Sequence, residues 1–327
     1  MDGSGMDRDL RSTQADGALL EGELGPVAVN GGLGWVMLAD RAAARADRFV
    51  EMFTPVPRWR LHSVSLQTGL VEVAAPELVS LPRQLVVDAL GAVLVYERNL
   101  RILPAGSSEY QVVKCAGRGA QEAVLVSSAW LTYYDHDDCG FRRLSRSQGE
   151  RFLPTNTEGT LLAGNDEYLG WANPQERPFA FHWASLDDFE NVHSILVDDR
   201  PKAVARWGND WLVSTVDRLY LVHGDHAETL AEPSPFSGQK LLVADGILVG
   251  RCGNECFVAE DGSDQVASGG LVRLVDGRRE FLFSGTPTAE LDSIEGINNP
   301  EVIDFAVEGP TVLLSAGASA KGQHRLC

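Results

Sequence analysis

The chain is poor in what membrane, secreted and nucleic-acid-binding proteins usually need. Nowhere in its 327 residues is there a run of about 18 uncharged apolar residues, so no membrane-spanning helix is expected. The opening stretch, MDGSGMDRDLRSTQADGALLEGELG, lacks a basic segment followed by an apolar core and lacks a small-residue cleavage pattern. Residues 1–24 are therefore read as a flexible leader rather than a signal peptide, and residues 25–327 as a single domain. Cysteine is scarce as well, with only Cys115, Cys139, Cys252, Cys256 and Cys327. An odd number without an export signal points to reduced thiols and a cytoplasmic location. Cys252 and Cys256 could approach one another in a hairpin, but zinc would need two further ligands and no convincing pair lies nearby, so no metal is expected. Positive charge is in deficit: 28 Lys plus Arg face 46 acidic residues, for a formal charge of -18. A surface of that sign repels phosphate backbones, and neither nucleic acid nor a membrane is an expected partner.

Local catalytic signatures are missing too. There is no Gly-x-Ser-x-Gly elbow, no phosphate loop ending in Gly-Lys-Ser/Thr, no His-Glu-x-x-His and no dinucleotide-binding glycine turn between a strand and a helix. The fragment GGLGW at residues 31–35 reads as a hairpin bend. No cofactor is expected, and an active site would have to be assembled from distant residues.

What the chain does have is a returning pattern of short hydrophobic strands punctuated by Gly, Asn and Asp. Residues 85–103 (LVVDALGAVLVYERNLRIL), 203–222 (AVARWGNDWLVSTVDRLYLV) and 241–258 (LLVADGILVGRCGNECFV) each read as strand, polar turn, strand, turn, strand. Residues 123–141 form a fourth copy and residues 302–314 a partial one. Middle strands near Leu94, Leu131, Leu169, Val213, Leu248, Leu282 and Leu313 recur at about 30 to 45 residues. A composition of 44% hydrophobic residues with 33 glycines and 15 prolines supplies both core and turns.

Sheets of about four antiparallel strands cannot bury both faces alone, and packing several around an axis solves this. The expected fold is an all-β β-propeller of seven blades, within a range of six to eight. A pair of β-sandwiches or a β-helix stays open, because residues 70–73 and 86–95 lie closer together than one blade would allow. Residues 41–52 (RAAARADRFVEM) favour a short helix or else an outer strand. At the level of fold the chain resembles the β-propellers over most of residues 27–314. It lacks a sustained Trp-Asp ending, a Gly-His partner and a kelch-type double glycine, so no close family is named.

Fold alone leaves function open. The expected function is non-catalytic recognition or scaffolding, with a protein or small molecule bound on one face. The alternative is a hydrolase or lyase with its active site at the propeller mouth. For that chemistry the candidates are His182 and His193 as proton acceptors with Asp188 orienting them, in the segment FHWASLDDFENVH, and Trp183 positioning substrate. Trp130, Trp171, Trp207 and Trp211 are candidate stacking surfaces for a ligand, and they serve equally well as fillers between sheets. Asp135 and His136, in YYDHDDC, offer oxygen ligands and a proton-exchanging imidazole, against a plainer role in a solvated turn. His223 and His226 are read as turn residues, and the basic stretch at residues 141–146 as a solvated turn or salt-bridge partners.

Overall fold

The computed structural model describes residues 20–40, 58–96, 99–114, 124–126, 130–145, 149–236, 240–251, 255–258, 264–267, 270–275, 278–283, 301–318 and 323–326. They form seven four-stranded antiparallel sheets and one separate two-stranded hairpin. In order from the axis outward, blade 1 is Leu24–Asn30, Leu33–Asp40, Arg58–Ser65 and Val71–Val73. Blade 2 is Gln84–Asp88, Gly91–Val95, Asn99–Pro104 and Gln111–Lys114. Blade 3 is Val124–Val126, Trp130–Asp135, Gly140–Ser145 and Gly149–Pro154. Blade 4 is Leu161–Gly164, Tyr168–Ala172, Ala180–Ser185 and His193–Leu196. Blade 5 is Pro201–Trp207, Asp210–Thr215, Leu219–His223 and His226–Ala231. Blade 6 is Leu241–Ala244, Ile247–Arg251, Leu271–Val275 and Arg278–Phe283. Blade 7 is Glu301–Glu308, Thr311–Ala318, Gln323–Leu326 and, from the other end of the chain, Leu20–Gly22.

Seven hydrophobic clusters, one per seam, close these sheets into a ring. Met37 and Leu61 of blade 1 pack with Leu85 and Leu94 of blade 2, and Val93 and Leu100 of blade 2 with Leu131 and Tyr133 of blade 3. Phe141 and Trp171 join blades 3 and 4, Phe181 and Trp211 blades 4 and 5, and Leu212 and Leu248 blades 5 and 6. Val249 and Phe305 join blades 6 and 7, and Val36 and Leu313 join blades 1 and 7. Each second strand is thus covered on both faces. Trp130–Asp135 is buried from Leu131 onward and Asp210–Thr215 from Trp211 onward, with no alternation between faces. Outermost strands such as His226–Ala231 are largely exposed.

Seam 7/1 carries the chain closure. Leu20, Glu21 and Gly22 pair with Leu326, Arg325 and His324, so the ring begins before the domain boundary expected at residue 25. Two carboxylates of blade 7 reinforce it. Glu308 accepts from the amides of Gly31 at 2.7 Å and Gly32 at 3.3 Å, two residues whose φ of 62° and 75° makes glycine the fitting choice in that turn. Asp304 accepts from the Val27 amide at 2.9 Å and from Lys240 Nζ at 2.8 Å, tying blades 7 and 1 to the residue that leads into blade 6. Val27 lies beside an irregularity in the blade 1 register, and Asp304 beside one in blade 7.

The seven-fold all-β reading holds, with corrections inside it. The short spacing between residues 70–73 and 86–95 is an outer strand followed by the next blade. Leu248 marks a second strand, but Leu282 belongs to the outermost strand of blade 6, and the repeat markers omit the second strand of blade 1, Leu33–Asp40. In the copy at residues 241–258 the third strand is not part of the blade: among the described residues Glu255–Val258 pairs with Asp264–Ala267 alone, as a hairpin inserted before Leu271. Residues 141–145 lie on a strand rather than in a turn. The helix considered for residues 41–52, and Cys115, Cys252 and Cys327, lie outside the described residues.

Candidate functional site

Strand alternation sorts the loops onto two faces. One, here the connection face, carries the turns between second and third strands and the crossovers between blades. The opposite face carries the turns joining first to second and third to fourth strands.

On the connection face, the second strand of blade 3 ends at Asp135, whose side chain is fully buried. Its carboxylate accepts from the Asp137 amide at 3.0 Å and from Arg142 Nε, and Arg142 also reaches Asp138 and Glu150. A carboxylate removed from water needs such partners. The hydrogen bonds to Asp135 and then Glu150 hold the Arg142 guanidinium above its ordinary range. Beside this network, His136 Nδ1 lies 2.6 Å from Glu158 Oε1, and Asn173 Nδ2 donates to Glu158 Oε2 at 3.0 Å. Glu158 belongs to the crossover into blade 4 and Asn173 follows that blade's second strand, so three loops meet here. The Tyr134 ring packs edge-on to His136 at 5.0 Å, and its phenol is pushed up to about 12, chiefly by burial. Arg218 does for blade 5 what Arg142 does for blade 3, binding Asp198 of the preceding crossover and Glu232 of the following one.

His182, Asp188 and His193 are not brought together. In blade 4, His182 pairs across strands with Trp171 and Ser194, whereas Trp183 pairs with Gly170 and His193. Side chains alternate along a strand, so the two histidines lie on opposite faces of one sheet. His182 is buried toward blade 3, stacked on Trp171 at 5.7 Å with Nδ1 2.7 Å from Ser194 Oγ, and burial lowers its pKa below the ordinary imidazole value. His193 is exposed toward blade 5, stacked on Trp183 at 5.2 Å and 3.5 Å from Asp225. Asp188 lies in the turn on the opposite face and accepts from Asn191 at 2.5 Å. FHWASLDDFENVH is an ordinary third strand, turn and outer strand rather than an insertion.

The tryptophans fill seams. Trp171 is fully buried among Phe141, Phe189 and His182, with Nε1 donating to Thr157 Oγ1 at 2.9 Å. Trp183 and Trp211 flank Phe181 between blades 4 and 5, and the Arg206 guanidinium lies 4.2 Å from the Trp211 ring. Half-buried Trp130 lies under Arg143 at 4.7 Å, and Trp207 packs on the blade 5/6 cluster. His223 and His226 close a hairpin around Gly224, with His223 Nδ1 2.5 Å from Asp210. Glu158, Asn173 and Asp210 are the groups that sequence reasoning missed, because Glu158 and Asp210 reach His136 and His223, and Asn173 reaches Glu158, only through folding. Among the described residues, no group of three or more His, Cys, Asp and Glu side chains could hold a metal ion, and no helix is long and apolar enough to cross a membrane.

No family model and no curated protein sequence matches the chain. Solved structures do match in fold. A chain of the mitotic checkpoint complex is similar at TM-score 0.57 and 9% identity, covering 93% of this chain and 90% of that one. A catalytically inactive virginiamycin B lyase from Staphylococcus aureus, solved with quinupristin, is similar at TM-score 0.56 and 10% identity, covering 93% and 94%. The β-propeller domain of the Trilobed protease from Pyrococcus furiosus, described as having an open velcro topology, is similar at TM-score 0.55 and 12% identity, covering 80% and 84%. The chain is a β-propeller. At these identities the likeness is one of fold, and its neighbours include a lyase, a protease domain and a component of a protein assembly.

Proposed function

We infer that this propeller is a non-catalytic recognition module that binds a protein or small ligand on its connection face over blades 3 to 5. One observation carries the reading: arginine-centred networks fasten the loops there. Arg142 gathers Asp135, Asp138 and Glu150, and Arg218 gathers Asp198 and Glu232. Loops held in place before binding lose less conformational entropy when a partner arrives. The separation of His182 from His193 supports the same reading, since acid-base work needs its groups within hydrogen-bond reach of one substrate.

The test is affinity capture with two sets of charge reversals, followed by footprinting of the captured complex. Asp137→Lys and Asp217→Lys alter exposed residues of the connection face; Asp166→Lys and Asp225→Lys alter the opposite face. The reading expects one saturable partner, lost with the first pair and kept with the second. A partner indifferent to the first pair and lost with the second contradicts it.

A lyase or hydrolase is the second reading, favoured by the His136–Glu158 contact. Glu158, itself held by Asn173, would fix the imidazole tautomer with Nδ1 protonated and leave Nε2 as a base. Turnover of an identified substrate that His136→Gln abolishes would establish it; turnover unchanged by that variant would remove His136 from any such site.

A further inference from the structure

Blade 6 carries a hairpin that belongs to no blade. Glu255–Val258 and Asp264–Ala267 pair antiparallel, from Glu255 with Ala267 to Val258 with Asp264, and form a sheet of two strands. The hairpin is inserted between the second strand, which ends at Arg251, and the third, which begins at Leu271, so it leaves the ring on the connection face. Among the described residues it pairs with no third strand and packs closely on no other. Two strands alone are marginal in water, whereas a third strand or another packed element makes such a sheet stable. In each strand alternate residues bond to the partner strand, and the residues between them direct N–H and C=O groups away from it. Among the described residues, both edges of the hairpin therefore present backbone groups that pair with no strand.

The residues of the hairpin indicate which kind of strand completes it. Residues 252–270 read CGNECFVAEDGSDQVASGG, with Glu255, Glu260, Asp261 and Asp264 and with neither lysine nor arginine. Proline is missing from the same stretch. Lysine and proline are the residues that commonly guard an open edge against pairing. The first strand offers the better edge, since Phe257 and Val258 favour extended backbone while the second strand opens on Asp264, a poor strand former. Four carboxylates in so short an element repel a second copy of it, in a chain already at a formal charge of -18. The same carboxylates attract lysine and arginine.

We propose that the strand Glu255–Val258 is a docking edge for an extended, basic segment of a partner protein, which adds to the hairpin as its third strand. Main-chain hydrogen bonds along the edge supply affinity, and the acidic residues select lysine and arginine side chains over others. The hairpin shares a face with the arginine-fastened loops of blades 3 to 5 but is separate from them. Its role is independent of what those loops bind.

A capped octapeptide of alternating lysine and valine is the probe, with lysine–glycine and glutamate–valine octapeptides as the other arms. Binding to the 327-residue chain is read by titration calorimetry and by hydrogen exchange of fragments covering residues 255–267. The lysine–valine peptide is expected to bind with Kd below about 100 µM in about 50 mM salt and to slow exchange in the hairpin about fivefold. The lysine–glycine peptide has the same charge but a poor strand propensity and is expected to bind about tenfold more weakly; the glutamate–valine peptide is expected not to bind. Glu260→Lys with Asp261→Lys is expected to weaken the lysine–valine peptide about tenfold, whereas Asp166→Lys with Asp225→Lys, the same charge change on the opposite face, leaves its affinity in place. Replacing residues 255–267 by a glycine–serine loop of equal length leaves the four strands of blade 6 complete and is expected to abolish binding. The charge reversals retain the hairpin, so they decide the matter if the loop variant does not fold. The proposal fails if the lysine–valine peptide neither binds nor slows exchange in the hairpin. It fails equally if the lysine–glycine peptide binds as tightly, or if both charge reversals weaken binding alike, because charge alone then accounts for it. A dimer in sedimentation that the loop variant abolishes would make a second copy the occupant and overturn it.

Discussion

Replacing Gly170 by alanine probes the seam between blades 4 and 5 with a single methyl group. A Cβ built on Gly170 would lie 2.6 Å from Trp211 Cζ3, 2.9 Å from Trp211 Cε3 and 2.8 Å from Phe181 Cζ. Carbon atoms in contact sit about 3.5–4.0 Å apart, so the rings must retreat by about 1 Å. Neither has room. Trp211 is 2% exposed and Phe181 is fully buried, and both belong to the cluster that holds the two blades together. Overpacking of this kind costs about 1–3 kcal/mol, offset by about 0.5–1 kcal/mol because alanine suits a strand better than glycine. Gly170→Ala should therefore lose about 1–2 kcal/mol in urea unfolding followed by tryptophan fluorescence, with the slope unchanged. Trp211→Phe makes space beside the new methyl, so the double variant should lose less than the sum of the singles, by about 1 kcal/mol. If Gly170→Ala is as stable as the parent, or if the two changes simply add, the packing of this seam is not as described.

Three further outcomes follow from named contacts. Asp304→Ala removes the acceptor shared by Val27 and Lys240 and should cost about 2–4 kcal/mol in chemical unfolding; a loss below about 0.5 kcal/mol would show that the clasp contributes nothing. Asp135→Ala leaves Arg142 without its buried partner and frees the 136–139 turn, with an expected loss of about 3 kcal/mol that salt does little to screen. Burial depresses the pKa of His182 in the folded state, so below an unfolded value of 6.5 the unfolded chain takes up the proton first. The stability it contributes is present above that pH and declines as pH falls until the folded state also protonates. Unfolding midpoints measured from about pH 8 to about pH 5 should show this decline, and His182→Phe should flatten it; an unchanged slope would refute the assignment.

The parts of the fold legible in sequence are those whose burial is local in origin. Second strands such as Trp130–Asp135 and Asp210–Thr215 are covered on both faces, so they read as unbroken apolar runs bounded by turns. Outer strands fade because solvent permits almost any residue there, which is how Leu282 came to stand for a middle strand. Blade 1 is hidden by the 17 residues between Asp40 and Arg58 that part its second and third strands, and the third strand of blade 6 is displaced from its expected place by a hairpin spliced in at the same point of the repeat. The candidate site was less legible, since its decisive partners are long-range. His136 stands out in its polar turn, but Glu158 and Asn173 arrive from a neighbouring crossover and the next blade. His193 and His182 are close in sequence, whereas strand alternation sends them to different seams and brings Asp225 of blade 5 to His193 instead. The tryptophans illustrate the same limit: composition places them in the middle of the chain, and only the register reveals that Trp171, Trp183 and Trp211 are wedges between blades.

Ring closure underlies each of these arguments, and one cross-link tests it directly. Glu21 and Arg325 are register partners from opposite ends of the chain. Cysteines placed at both positions, in a background with the natural cysteines changed to serine, should form an intramolecular disulfide in the native protein and give a faster-migrating species on non-reducing gels. The closed ring predicts efficient bonding under native conditions that is lost when the protein is unfolded in urea before oxidation. Two thiols that stay free in the folded protein, while each remains open to alkylation, would contradict it.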